Sequence, residues 1–275
     1  MADTGTPNAP AVFAVETQGL ARAFGSIKAV EDLNLSISAG TIFGLLGPNG
    51  AGKTTTIRML TTMLAPTAGA ARVAGLDVTR QPKRVRKAIG YVSQMLSADG
   101  ALTGYENLLL FARIYGIPQG ERKGRIVEAL EFMGLTSAAD MLVKQYSGGM
   151  IRRLEIAQSM LHRPAVLFLD EPTIGLDPVA RHTVWQHLRQ LQDRYGTTIF
   201  LTTHDMEEAN HLCQSIVIMH RGHAVAAGSP ESLKAQVGPT ADLDDVFVHF
   251  VGESVDDVGS YQQSSRIRRT ARRLG

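Results

Sequence analysis

Gly47-Pro48-Asn49-Gly50-Ala51-Gly52-Lys53-Thr54 is the stretch of sequence that decides the fold, because it matches the phosphate-binding pattern G-x-x-x-x-G-K-[ST]. A short apolar run, residues 41–46, precedes it, and residues 54–64 have helical spacing. Between a strand and a helix, such glycines let backbone N–H groups turn toward phosphates, and the helix N-terminus adds partial positive charge. We predict a nucleoside triphosphate site that includes Thr55, with Lys53 on the β- and γ-phosphates and Thr54 on magnesium. A glycine turn between ordinary elements is the alternative interpretation.

The composition is that of an ordinary globular protein of 275 residues, with a formal net charge of +2. So small a charge argues against a general nucleic-acid binder, and no nucleic-acid partner is expected. The single cysteine, Cys213, excludes an internal disulfide and suits a reducing compartment. Residues 1–10 lack the apolar centre of a signal peptide, and no run approaches the roughly 20 apolar residues that cross a bilayer. We expect a cytoplasmic protein whose membrane role, if any, depends on a partner.

The order of the remaining elements indicates an α/β fold. Strands are predicted at residues 12–16, 33–37, 71–74, 89–93, 165–169 and 198–202, and helices at 106–115, 120–132, 151–161 and 179–194. The continuous apolar runs at 165–169 and 198–202 are typical of strands buried in a parallel sheet. We predict a phosphate-loop NTPase domain over residues 12–229, with a short-strand N-terminal β subdomain and a helical subdomain inserted at about 95–163. Residues 230–275 are predicted to form an appendage: helices near 231–237 and 243–251, then a basic tail.

Two carboxylates follow the predicted strand 165–169. Asp170 and Glu171 therefore lie at a strand carboxyl end, where ligands bind in open α/β sheets. We predict that Asp170 holds magnesium, directly or through water, and that Glu171 polarises the attacking water as a general base. The alternative, a surface acidic pair, is disfavoured by the phosphate loop and by Pro172, which follows directly.

At this point the chain resembles a known family. Tyr146-Ser147-Gly148-Gly149-Met150 is similar to the signature motif of ABC transporter ATPases, and order, spacing and residue type agree with that family in six places over residues 12–251. The resemblance implies that Gln94 connects the nucleotide site, including its magnesium, with the helical subdomain, and that His204 is the switch histidine. It implies further that Asp177, in Gly175-Leu176-Asp177, belongs to a dimer-contact loop and that Phe24 stacks on adenine. Taken singly, Gln94 could be a solvated strand end, His204 an ordinary loop histidine and Phe24 a core residue.

The resemblance also implies how the signature works. Ser147, Gly148 and Gly149 open a predicted helix, which makes a second anion site beside the one at Lys53. In the family two copies pair head to tail, and each signature covers the γ-phosphate held by the other copy. The chain departs from the commonest pattern at Tyr146 and Met150, and at Ile174-Gly175, where leucine, glutamine and a serine-alanine pair are commoner. None of these changes removes a predicted catalytic residue, so both sites of a homodimer should hydrolyse ATP.

Softer motifs indicate a branch of the family. Residues 152–157, 102–108 and 242–247 are similar to the daunorubicin-resistance type of bacterial ATPase. Members of that branch power separate transmembrane subunits that expel drugs, antibiotics or lipids. We therefore expect an ATPase at the cytoplasmic face of the membrane, partnered by a permease chain and by a second copy of itself. The alternative is a non-transport ABC ATPase that acts on a ribosome, nucleic acid or cofactor assembly; a small-molecule kinase is excluded by the signature.

Two basic segments carry no motif. Arg80, Lys83, Arg84, Arg86 and Lys87 are interpreted as a solvated helix face. The tail after Gly252 ends in clustered arginines, which could contact anionic lipid head groups or stay solvated and disordered. We expect residues 260–275 to be dispensable for ATP hydrolysis.

Overall fold

The structure, a computed structural model, describes residues 13–252. Within that range the chain forms ten strands in two sheets. The strands are β1 (Phe13–Phe24), β2 (Ile27–Ser38), β3 (Ile42–Leu46), β4 (Ala68–Val73), β5 (Leu76–Asp77), β6 (Ile89–Val92), β7 (Val166–Asp170), β8 (Thr198–Thr203), β9 (Ser215–His220) and β10 (His223–Gly228). The mixed α/β architecture and the N-terminal β subdomain are confirmed.

The first sheet is antiparallel, in the order β2-β1-β4-β5. The predicted strands 12–16 and 33–37 were too short, because β1 and β2 each run for 12 residues. The apolar alternation breaks at Gly19, where φ is 57°, and the pairing of β1 with β2 shifts register between Thr17 and Leu20. A bulge therefore lets one strand continue where the sequence pattern indicates an end.

The second sheet carries the phosphate loop and has the order β10-β9-β3-β8-β7-β6. All of its pairings are parallel except that of β10 with β9. The predictions for 165–169 and 198–202 are confirmed to within a residue at each end, and these strands are fully buried. Because β8 lies between β3 and β7, the carboxyl ends of three neighbouring strands meet at one edge of the sheet. The hairpin of β9 and β10 was missed.

The helices are α1 (Lys53–Leu60), α2 (Pro82–Ala88), α3 (Gly104–Ile114), α4 (Gln119–Phe132), α5 (Gly148–Met160), α6 (Pro178–Tyr195), α7 (Met206–Leu212), α8 (Pro230–Val237) and α9 (Leu243–Val251). The predicted helix 54–64 ends early, at Leu60, because Thr62 takes a left-handed conformation with φ of 65°. Helix α7 was not predicted. The helices of the described part of the chain all fall short of the length and hydropathy of a membrane-spanning segment.

The six-stranded sheet separates two apolar cores. One lies between this sheet, α1 and the antiparallel sheet, and the other lies beneath α3–α7 and α9. Leu243, Val246 and Phe247 of α9 are buried in the second core, so this part of the predicted appendage packs on the α/β core. Residue 12 and the tail, residues 253–275, lie outside the described residues, and the domain limits stay predictions.

Candidate active site

The phosphate loop connects β3 to α1 in a backbone conformation that requires glycine. Gly47 and Gly52 have φ of 151° and 105°, within or near the left-handed range that ordinary side chains avoid. A Cβ at Gly47 would lie 2.3 Å from the Met219 carbonyl oxygen, and one at Gly52 would lie 2.4 Å from that of Ala29. Gly52 caps α1 without a side-chain hydrogen bond, which leaves first-turn N–H groups open to an anion.

Lys53 is buried in the loop and holds it closed. Its Nζ donates to the carbonyl oxygens of Gly47 at 2.7 Å and Pro48 at 3.2 Å. The same atom lies 3.2 Å from Glu171 Oε1, and both side chains are almost fully buried. The lysine charge is thus neutralised by the predicted general base.

Thr54 and Asp170, the two side chains predicted to hold magnesium, are in contact, although the chain separates them by 116 positions. Thr54 Oγ1 donates to Asp170 Oδ1 at 3.2 Å, and Thr202 Oγ1 on the neighbouring strand donates to the same oxygen at 2.6 Å. Hydroxyl and carboxylate oxygens are the hard donors that magnesium prefers, and magnesium commonly takes few protein ligands together with phosphate oxygens and water. No group of three or more His, Cys, Asp or Glu side chains within residues 13–252 could hold a metal alone. The residues present fit a magnesium ion shared with a phosphate.

Glu171 is held in a strained position between Lys53 and His204. Its φ is 51°, rare for a residue other than glycine, and its N–H donates to the carbonyl and hydroxyl oxygens of Thr202, both at 3.1 Å. His204 Nδ1 lies 2.5 Å from Glu171 Oε2. Burial raises the pKa of Glu171, but the hydrogen bond from His204 and the charge of Lys53 outweigh it and lower the pKa below its ordinary value. The carboxyl is therefore ionised at neutral pH.

The same contact acts on His204, which is partly exposed. The hydrogen bond to Glu171 raises the pKa of His204, and burial opposes this shift more weakly. The structure thus brings five predicted residues, Lys53, Thr54, Asp170, Glu171 and His204, into one contact network.

Gln94 and Phe24 are not part of this network. Gln94 is exposed in the loop after β6, and within the described residues no hydrogen bond joins its amide to Thr54 or Asp170. Phe24 ends β1 with 46% of its surface exposed, and the Arg22 guanidinium lies 4.6 Å from its ring centroid. The ring is outside the core, so the core interpretation was wrong, and stacking on adenine stays a prediction.

The signature motif forms the exposed start of α5. Ser147 Oγ caps the helix by accepting a hydrogen bond from the Met150 N–H at 3.3 Å. Gly149 packs so closely on α6 that a Cβ would lie 2.7 Å from Ala180 Cβ. Asp177, also exposed, caps α6 by accepting from the Ala180 N–H at 2.9 Å. The signature and the Asp177 loop therefore share one surface, and in residues 13–252 no hydrogen bond or ion pair links it to residues 47–55.

The unusual Tyr146 has a packing explanation. Its ring is buried, and its hydroxyl donates to the Ala138 carbonyl oxygen at 2.6 Å. A Cβ at Gly104 would lie 2.2 Å from that hydroxyl oxygen. The tyrosine thus depends on a glycine at the start of α3.

Sequence reasoning missed Thr202 and Glu208. Glu208, on α7, is fully buried and accepts hydrogen bonds from Thr173 Oγ1 at 2.8 Å and Trp185 Nε1 at 3.0 Å. Its burial raises its pKa, although hydrogen bonds from Thr203, Thr173 and Trp185 oppose the shift. Glu208 therefore connects three segments by hydrogen bonds: its own helix α7, the loop after Glu171 through Thr173, and helix α6 through Trp185. In the sequence, the only indication of a role for Glu208 was its position four residues after His204.

Comparison with known proteins agrees with this geometry. The family model described as ABC transporter matches residues 30–174. The daunorubicin/doxorubicin resistance ATP-binding protein DrrA of Streptomyces peucetius is 47% identical over 82% of this chain and 68% of its own. The chain belongs to the ABC transporter family. The Nod factor export ATP-binding protein I of Paraburkholderia xenovorans is 44% identical over 81% of this ABC ATPase and 73% of its own chain.

Solved ABC structures share the fold. An ATP-binding subunit of an ABC transporter superposes with a TM-score of 0.77 at 28% identity, covering 87% of this ABC ATPase and all of its own chain. The cassette MJ0796 was solved as a dimer in a post-hydrolysis state with ADP and Pi. It superposes with a TM-score of 0.69 at 26% identity, over 78% of this ABC ATPase and 98% of its own chain. The predicted ABC ATPase fold and the ATP-hydrolysing class are confirmed.

Proposed function

We propose that this ABC ATPase hydrolyses ATP to power export of a drug, antibiotic or lipid through a separate transmembrane subunit, at the cytoplasmic face of the membrane. One observation carries the chemistry: Glu171 is buried and contacts both Lys53 and His204, beside Thr54 and Asp170. The similarity to ATP-binding proteins named for daunorubicin resistance and Nod factor export supports the export direction.

ATP binding begins with an exchange of partners at Lys53. The β- and γ-phosphates take the place of Glu171 on the lysine Nζ, and the open N–H groups of residues 47–55 surround them. Thr54 and Asp170 would hold magnesium, which neutralises phosphate charge when it is bound. Release from Lys53 leaves Glu171 free to accept a hydrogen bond from water.

Hydrolysis is then a positioning task for Glu171 and His204. The Glu171 carboxylate orients a water toward the γ-phosphorus and takes its proton as the new P–O bond forms and the bond to ADP breaks. His204 keeps the carboxylate in place through the contact at 2.5 Å. The φ of 51° at Glu171 fits a side chain that the backbone must aim at the ligand.

The exposed signature supports a head-to-tail homodimer. Ser147, Gly148 and Asp177 lie on an open surface with no hydrogen-bonded link to the phosphate loop within the described residues. In a second copy they would cover the phosphates bound by the first. The dimeric ADP-bound cassette to which this fold is similar supports the arrangement.

The deciding experiment is an affinity pull-down of the full chain from detergent-solubilised native membranes, with a Glu171→Gln variant that would hold the closed dimer. A stoichiometric multi-span chain, recovered with ATP, is expected. Lys53→Ala is the matched control, since it should lose ATP binding and the ATP-dependent part of the recovery. Recovery of ribosomes or soluble partners alone would refute export and favour a non-transport role.

A further inference from the structure

Helix α5 carries a buried polar stripe that the proposed chemistry does not use. Arg152, Glu155 and Ser159 lie three and four positions apart, so they share one face of the helix, and all three are buried. Arg152 and Glu155 are each 2% exposed in their side chains and form an ion pair at 3.0 Å. A helix face turned to the interior is normally apolar, so these residues need a reason.

The stripe binds the backbone of the loop that carries Gln94. Arg152 Nη1 and Nη2 donate to the carbonyl oxygens of Ser93 at 2.7 Å and Gln94 at 2.9 Å. Glu155 Oε1 accepts from the Ser97 N–H and, at 3.1 Å, from its hydroxyl. Ser159 Oγ donates to the Tyr91 carbonyl oxygen at 3.1 Å. The loop is therefore fixed on both sides of its tip, while Met95 at the tip is 81% exposed.

Stability alone does not explain the ion pair. Replacing a buried ion pair by apolar residues of similar volume is often neutral or stabilising, because desolvation offsets the attraction. Here the planar guanidinium fork suits two successive carbonyl groups, which a lysine could not bind in the same way. Nη1 and Nη2 of Arg152 and Oε1 of Glu155 thus hold a loop that lacks regular secondary structure.

Close packing makes the connection stiff. Gly90 lies in β6, the strand that precedes the loop. A Cβ at Gly90 would lie 2.5 Å from the Ser159 carbonyl oxygen, so β6 and α5 are in direct contact. Ser147 caps the same helix only five positions before Arg152, about 7.5 Å along its axis. One helix, α5, therefore contacts the Gln94 loop and carries the signature at its N-terminus.

We propose that Arg152 and Glu155 are positioning residues that join the Gln94 loop and the signature end of α5 into one rigid unit. Their effect is to couple the approach of Gln94 to the nucleotide with the placement of Ser147 over the partner's phosphate. This rests on the proposed function of Gln94 and Ser147. Both side chains act through the loop and the helix, and neither Arg152 nor Glu155 contacts the substrate directly.

The test uses the full chain with both charges removed together, Arg152→Met with Glu155→Leu, which leaves no buried charge unpaired. In the nucleotide-free protein, hydrogen–deuterium exchange of the amides at residues 93–97 should accelerate at least tenfold. The turnover number for ATP should fall at least tenfold, while the affinity for ATP measured without magnesium stays within twofold of wild type. The control is Arg153→Met, because Arg153 lies on the same helix but donates to Met133 and Gly149 instead; exchange at residues 93–97 should then be unchanged.

Unchanged exchange at residues 93–97 in the double variant would overturn the proposal, as would faster exchange with a wild-type turnover number. If the double variant does not fold, Arg152→Lys decides: it keeps the charge, loses the fork, and should lower turnover several-fold at an unchanged melting temperature. A wild-type rate in that variant would equally overturn the coupling. Failure of the wild-type protein to hydrolyse ATP would refute the proposed function instead, and the exchange measurement separates the two.

Discussion

Replacing Glu171 with glutamine should strengthen ATP binding, because the carboxylate competes with the nucleotide for Lys53. At 3.2 Å, with an effective dielectric constant of about 20, the attraction between the two charges is about 5 kcal/mol. Desolvation of the two buried groups offsets most of it, and Lys53 keeps its bonds to Gly47 and Pro48. A net contribution of about 1–2 kcal/mol remains, in the range of a hydrogen bond to a charged group.

The nucleotide must break this contact, so Glu171→Gln should bind ATP about tenfold more tightly than wild type, at about 1.4 kcal/mol per tenfold. The nucleotide-free variant should lose about 1–2 kcal/mol in its free energy of unfolding, since Lys53 stays buried without its counter-charge. Calorimetric titration with ATP in EDTA measures the affinity without hydrolysis, and urea unfolding measures the stability.

Glu121→Gln is the matched control for the loss of one negative charge. Glu121 is half-exposed and pairs with Arg125 on α4, away from the phosphate loop, so its variant should bind ATP as wild type does. An affinity of Glu171→Gln equal to or weaker than wild type, in protein that folds normally, would refute competition at Lys53.

Three further predictions concern parts of the chain outside this contact. Gly149→Ala should lower the free energy of unfolding by about 1–3 kcal/mol, because its Cβ would lie 2.7 Å from Ala180 Cβ. Gly148→Ala, whose Cβ would lie 3.6 Å from Leu176, should change the free energy of unfolding by less than about 0.5 kcal/mol. Equal effects of the two substitutions in urea unfolding would contradict this packing. Burial lowers the pKa of His162, so the contribution of its neutral form to stability is present above pH 6.5 and is lost as the pH falls further. His162→Gln should therefore flatten the dependence of the melting temperature on pH below 6.5. An unchanged slope would refute this role of His162. Deletion of residues 260–275 should leave the ATPase rate of the purified protein unchanged, and a large loss would show that the tail contributes to the site.

Much of the site could be predicted because its parts are local in sequence. The phosphate loop, the carboxylates after β7 and the signature each fall within a few residues, and glycine or cap requirements mark them. The bulge at Gly19 and the end of α1 at Leu60 could not be read, since each depends on backbone conformations that the apolar pattern does not encode. Glu208 was missed because a buried acid becomes visible only with its partners, Thr173 and Trp185.

The sequence by itself determined the family and the ligand class, and it predicted the residues that bind phosphate, because these depend on short motifs with a direct chemical meaning. Only the tertiary structure decided that Lys53 is paired with Glu171, that His204 lies 2.5 Å from the same carboxyl and that Arg152 holds the Gln94 loop. These contacts join segments far apart in the chain. The first two follow from the strand order, which places β8 between β3 and β7, and the third from the packing of α5 beside β6. Local periodicity specifies the helices and strands. The packing of those helices and strands specifies which side chains meet, and therefore which charges neutralise one another.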